Sequence, residues 1–371
     1  MKRMQLAVLG LLLTALAGWS VPRANAQSCE SACDTCPEPR PAILDSLWFR
    51  GEYLLWQTSG MKLPPLVTAN ALGTDIADAG VIGYPGTQVV VGDNAILNDA
   101  RSGMRWSGGV NFCCGVGVEA DYFQLANVNE EFHIDSGGEF IVGRPFINLD
   151  PLAGPVRWDS QLIEFPPDLW GSVNVYAFSK FRGAGGRLRW NIFTREKCVY
   201  DMACDSGCDD ACGSPCESMG CCPRKVKCSA FDLTFGYRYM YLNEGIAIHE
   251  QVETASDEFD VYDAFGARST FHGLEMGMDY TCFRSIFGFN FFGRLGVGGN
   301  RNRVGIAGAT VIDGAREADP GGILAQASNI GSHDQTVASL MAQLGLNVNV
   351  CITECVYGHV GYSFLYWGNV V

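Results

Sequence analysis

Beyond its N-terminus, the 371-residue chain lacks any uncharged apolar run of eighteen residues, so it has no segment able to cross a bilayer as a helix. Histidine is scarce: His133, His249, His272, His333 and His359 are all there is, and none sits in a recognisable metal-binding or nucleophile motif. The chain is accordingly read as a non-enzyme without a cofactor. Basic residues are outnumbered, 26 Lys and Arg against 40 Asp and Glu, for a net charge of -14. That balance argues against nucleic acid or anionic lipid as a partner, and no nucleic-acid partner is expected. Proline, at 15 residues beside 45 glycines, is low, and the absence of a fixed glycine period excludes a collagen-like chain.

What is present begins with an export signature. Lys2 and Arg3 precede an apolar run from Leu6 to Trp19, and Ala24-Asn25-Ala26 follows. Charged, apolar and small residues in that order form a secretory signal, with cleavage expected after Ala26. Ala26-Gln27-Ser28 before Cys29 makes a poor lipoprotein box. An exported chain fits sixteen cysteines, because thiols outside the cytoplasm are held as disulfides.

The organising stretch is 229 to 242. Phe231, Leu233, Phe235, Tyr237, Tyr239 and Tyr241 take every second position, with Asp232, Thr234, Gly236 and Arg238 between them. A β-strand sends alternate side chains to opposite faces, so this run has one apolar face and one charged or small face. Two environments fit that pattern: the packed core of a soluble sheet, or lipid outside a barrel with a polar lumen.

The same alternation recurs at about 47–57, 103–112, 116–122, 172–194, 270–282, 287–297, 340–350 and 356–366, giving nine runs. Long irregular connections are expected at 58–102, 127–171, 243–269 and 300–334, with Gln88 to Val91 as a β-like run and Phe132 to Ile147 as a hidden hairpin. Short turns fall near 114, 284 and 353. Long connections at one end and short turns at the other are the habit of outer-membrane barrels. The expected fold is therefore all-β, an antiparallel up-and-down transmembrane β-barrel of about 10–12 strands, with long outer loops and a Cys-rich periplasmic insert. The expected divisions are a signal at 1–26, a Cys-containing periplasmic leader at 27–45, and a barrel at 46–371 that carries the insert at 198–228.

On the face opposite the apolar rows stand Arg50, Glu52, Arg105, Glu119, Asp121, Arg187, Arg189, Asp232, Arg238, Glu275, Asp279 and Arg294, six basic and six acidic. These are the expected lumen-facing residues. So balanced a set can pair across a small barrel and fill it, and passage of solute does not follow automatically. If a pore exists, acidic loops such as Glu250, Glu253, Asp257, Glu258, Asp260 and Asp263 imply mild cation preference.

The cysteines Cys29, Cys33, Cys36, Cys113, Cys114, Cys198, Cys204, Cys208, Cys212, Cys216, Cys221, Cys222, Cys228, Cys282, Cys351 and Cys355 all map to one end of the proposed barrel. The C-x₂-C pairs of structural zinc modules are absent from the insert, so a disulfide-knitted periplasmic collar is expected and no metal site. Connectivity stays open.

With these residues in view, the chain resembles the beta-barrel porin-7 family of planctomycete outer-membrane proteins. The resemblance rests on "FRGEYLLWQTSGMKLPPLVTAN" (Phe49 to Asn70), on "GYRYMYLNE" in the organising strand, and on "VGYSFLYWGNVV" (Val360 to Val371). It implies an outer-membrane location, contact with outer-membrane lipid and diffusion of small solutes, and a further closing strand past Val371. It brings no catalytic or binding residues and leaves the oligomeric state open. The leading functional expectation is a porin-like channel or a structural cell-envelope protein. A secreted, disulfide-stapled β-sandwich with an adhesive or surface-layer role is the alternative.

Overall fold

The computed structural model describes residues 8–14, 44–112, 115–150, 155–199, 224–284, 287–315, 318–353 and 356–371. Within these, side chains are described except at 8–14, 44–46, 196–199, 224–228, 283–284, 351 and 353. The strands of the first half are β1 (Val8–Thr14), β2 (Leu44–Gln57), β3 (Met61–Lys62), β4 (Val67–Asn70), β5 (Gln88–Val91), β6 (Ala95–Ile96), β7 (Ala100–Phe112), β8 (Val116–Leu125), β9 (Val128–Ile134), β10 (Ile141–Asn148) and β11 (Arg157–Glu164). Those of the second half are β12 (Trp170–Val199), β13 (Arg224–Glu253), β14 (Glu258–Arg284), β15 (Phe287–Ile312), β16 (Asp319–Pro320), β17 (Gly331–Thr353) and β18 (Val356–Trp367).

Period-two patterning is what builds them. In β8 exposed and buried residues alternate without a break over ten positions, as a pleated strand with one covered face requires. The main sheet is antiparallel and runs β13, β14, β15, β17, β18, β1, β2, β7, β8, β12; β12 also pairs β13, so the pairings return to their start. β9 adds to the edge of β12 that β8 has left, pairing Val173 to Ser179 above the stretch where β8 pairs Arg182 to Trp190. Leu233, Phe235, Tyr237, Leu274, Met276, Met278, Phe289, Phe291, Leu295, Val297, Leu344 and Leu346 all lie exposed on the outer face. Among the described residues no second sheet covers these rows, which is the arrangement a sandwich would need. On β15 they extend from Phe287 to Val297; at about 3.3 Å per residue and a tilt of about 40° the apolar band is about 25 Å tall.

Four expectations change. Residues 243–269 are not irregular, because β13 and β14 continue through them in unbroken register to a tight turn at Thr254–Asp257. Outward Gly245, Ala247, Ala264 and Gly266 hide the alternation there, having too little apolar contrast to show it. Likewise β15 runs on to Ile312 and β17 starts at Gly331, so much of 300–334 is strand. Phe132 and Ile147 do not form a hairpin with each other: β9 pairs β12, whereas β10 pairs β11 and β4. Finally, the gap between β18 and β2 is taken by β1, from within the expected signal, where a closing strand past Val371 was expected. β1 pairs β18 over seven residues and β2 over two. Gln88–Val91 is a strand, as expected.

The long connections fold inward. β4, β5, β10 and β11 form a separate four-stranded sheet. Its Val67, Val91, Val142 and Ile163 pack against Val173 and Val175 of β12 and Ile248 and Val252 of β13.

Candidate functional site: a lumen filled in three tiers

The lowest tier is ionic. Arg187 on β12 stands opposite Glu119 on β8 and bonds it through Nε. Its other nitrogens reach Asp121 Oδ1 at 2.7 Å and Glu275 Oε1 at 2.9 Å. Arg238 of β13 donates to Glu275 Oε2 at 2.6 Å and to Asp121 Oδ2 at 2.9 Å. Arg189 holds Asp232 at 2.6 Å, and Arg294 lies 3.9 Å from both Glu119 and Asp279. Toward the β18 seam, Glu52 is 3.6 Å from Arg105 and 2.9 Å from His359 Nε2. All twelve expected lumen-facing residues thus occupy the inner face. Eleven join this network, while Arg50 stands 5.9 Å over the Trp48 ring. Charges removed from water are tolerated only when paired and hydrogen-bonded, and here basic and acidic partners alternate across neighbouring strands.

Above it lies an apolar tier that sequence reading missed. Leu54, Trp56, Phe123, Leu125, Phe181, Met240, Leu242, Phe271, Met341, Leu365 and Trp367 are buried on the same inner face. Their rings meet in a chain: Trp56 to Phe123 at 5.3 Å, Phe123 to Phe181 at 5.2 Å, Phe181 to Trp367 at 6.1 Å, and Trp367 to Phe271 at 6.3 Å. Gly183 makes room for this, since a Cβ there would lie 2.5 Å from the Phe123 ring. The signal was available in Met240 and Leu242, which continue the charged face of the organising strand as apolar residues. The terminal Gly-Asn-Val-Val turns into the same tier. Ser339 Oγ donates to the Gly368 carbonyl at 2.6 Å, Asn300 and Asn302 donate to the Asn369 carbonyl at 2.7 and 3.0 Å, and Val370 packs with the rings.

The four-stranded sheet is the third tier, and Arg144 of β10 fastens it. Its guanidinium, 1% exposed, donates to Glu250 of β13 at 2.9 Å and Asp263 of β14 at 2.7 Å, both fully buried. Asp263 also accepts from the backbone N–H groups of Ile323, Leu324 and Ala325, at 3.2, 3.2 and 2.7 Å. Glu250 has no such support, and its Oε1 is unpartnered. Burial therefore lifts the Glu250 carboxyl above its usual range, against the pull of Arg144. The acidic stretch expected to lie in loops so contributes two members to a buried cluster. Among the described residues, no three His, Cys, Asp or Glu side chains gather as metal ligands.

Between the ionic and apolar tiers remains a void of about 10 Å³, lined by Trp56, Arg105, Asp121, Phe123, Arg238, Met240, Arg294, Gln343 and Leu365. That is room for roughly one water molecule.

Of the cysteines, Cys282 is described; it is half-buried and has no disulfide partner among the described residues. It belongs to the outward row of β14, in register with Phe289 of β15, and so projects from the wall instead of toward a turn. Cys198, Cys228 and Cys351, also of the expected collar, fall at strand ends whose side chains are not described, and the other twelve lie outside the described residues.

An antiparallel sheet closed around a filled interior, with an apolar exterior, defines the chain as a β-barrel protein. Residues 48–371 match the family described as putative beta barrel porin-7, and the chain belongs to that family. The match takes in all three of the motifs that suggested it. No curated protein matches the chain.

Proposed function

We propose that this protein is an integral outer-membrane barrel with a sealed lumen, a structural component of the cell envelope and not a diffusion channel. One observation carries the reading: among the described residues the inner face is occupied by ionic, aromatic and cover-sheet tiers, inside a wall whose exterior is an apolar band. The family name suggests solute passage, but the packing supports closure. In this reading the strand extensions beyond the band face outward, and the Cys-rich insert hangs in the periplasm as a disulfide-knitted collar. No catalytic step is assigned. Liposome swelling tests it: proteoliposomes carrying folded barrel should swell in small sugars no faster than empty vesicles, and size-dependent swelling would overturn the proposal.

A further inference from the structure

The outer wall carries a second feature directly above its apolar band. In the row of Tyr237, Leu274 and Val297 the exterior is still apolar, and the next row brings Tyr239 and His272, whose rings lie 5.2 Å apart. The two rows above that are basic. Register places Arg182, Tyr241, Thr270 and Arg301 side by side across β12 to β15, and Lys180, Asn243, Arg268 and Arg303 in the row that follows. All five cations are exposed, Arg301 and Arg303 with 59% and 45% of their side chains open. The guanidinium carbons of Arg182 and Arg268 stand over the Tyr241 ring from either side strand, at 4.7 and 5.8 Å, which holds them against the wall. One acid, Asp334, answers the patch by pairing with Arg301 and Arg303. Lys180, Arg182 and Arg268 make no ion pair with any described residue. Acidic side chains return only farther up, at Glu131, Asp260, Glu253 and Glu258.

In a chain of net charge -14, five cations in two adjacent rows are a local reversal of sign. Like charges set side by side repel, so the arrangement is stabilised by an anion laid across it. Its level decides which anion. A surface immediately beyond an aromatic row at the edge of the apolar band lies among lipid headgroups, where Lys and Arg meet phosphate. We propose that Lys180, Arg182, Arg268, Arg301 and Arg303 form a binding belt for the phosphate-bearing headgroups of anionic lipids in the outward leaflet. Whole-chain charge argued against anionic lipid as a partner, and this belt reverses that expectation locally, because screening confines each interaction to about 10 Å.

The inference rests on the outer-membrane reading, and the test separates the two. The full chain and a variant with all five cations changed to Gln are reconstituted into phosphatidylcholine vesicles with or without phosphatidylglycerol, and retained lipid is measured by native mass spectrometry. Both chains should fold into pure phosphatidylcholine. The wild type should then retain phosphatidylglycerol over phosphatidylcholine by about tenfold, and the variant near parity. Equal retention of the two lipids by the wild type, an undiminished preference in the variant, or loss of the preference to millimolar inorganic phosphate would each overturn the belt while leaving the barrel standing. Failure of the wild type to enter neutral vesicles would remove the membrane reading and the belt with it.

Discussion

In the proposed reading the ionic tier and the cover sheet seal the same lumen by opposite means. In the ionic tier most partners come from wall strands that are hydrogen-bonded neighbours or one strand removed: Arg187 faces Glu119 across one ladder, and Arg238 lies two residues from the level of Glu275, while Arg294 of β15 reaches toward Glu119 of β8 from farther round the wall. The cover sheet reaches the wall through one arginine, Arg144, whose partners are 106 and 119 residues away. The lower seal is therefore part of the wall and forms as the strands pair. The upper one is a separate piece held by apolar packing and a single charged fastening. Between them lies the ring chain from Trp56 to Phe271, with Arg105 5.3 Å from the Trp56 ring.

Substitutions sharpen that contrast. Arg187→Ala leaves Glu119, Asp121 and Glu275 short of their shared cation, and should cost the largest amount, about 3–5 kcal/mol, in urea unfolding of the folded barrel. Trp367→Ala empties the junction of the ring chain. It should cost about 3–4 kcal/mol, without the pH sensitivity that exposed carboxylates bring. Arg144→Ala should cost less, about 2–3 kcal/mol, because a detached cover can admit water to Glu250 and Asp263. Limited proteolysis should then cut within 58–102 and 127–171 while the strands of the wall stay intact. Coincident loss of wall and cover would mean that the two seals are one unit.

The smallest effect separates the two carboxylates that share Arg144. Glu250 is raised by burial, so its contribution is present below the ordinary carboxylate range and lost as pH rises through the elevated value. Glu250→Gln should be neutral to about 1 kcal/mol stabilising at neutral pH, and that advantage should disappear in acid. Asp263→Asn, which weakens acceptors serving Arg144 and three backbone N–H groups, should destabilise at neutral pH. Melting both variants across pH checks the order, and a destabilised Glu250→Gln at neutral pH would reverse it.

How far the sequence could be read follows the same division. The outer rows and all twelve inner charges were legible because period two is a local property, visible within a single strand. The apolar tier was not, since Trp56, Phe123, Phe181 and Met240 stand on the face that a water-filled barrel keeps polar. The upper halves of β13 and β14 were obscured by outward glycine and alanine. Glu250 and Asp263 looked like solvated loop charges because nothing near them in the chain announces Arg144. The closing motif was visible as a signature, yet its use as a stopper depends on Ser339, Asn300 and Asn302 from other strands.

Closure itself is the claim on which the rest depends. Planar-bilayer recording of the purified, folded chain measures it without any substitution. A sealed lumen predicts an unbroken baseline after insertion is verified by protease protection and heat-modifiable migration, whereas reproducible ohmic steps at modest voltage would show a continuous water path and contradict the account.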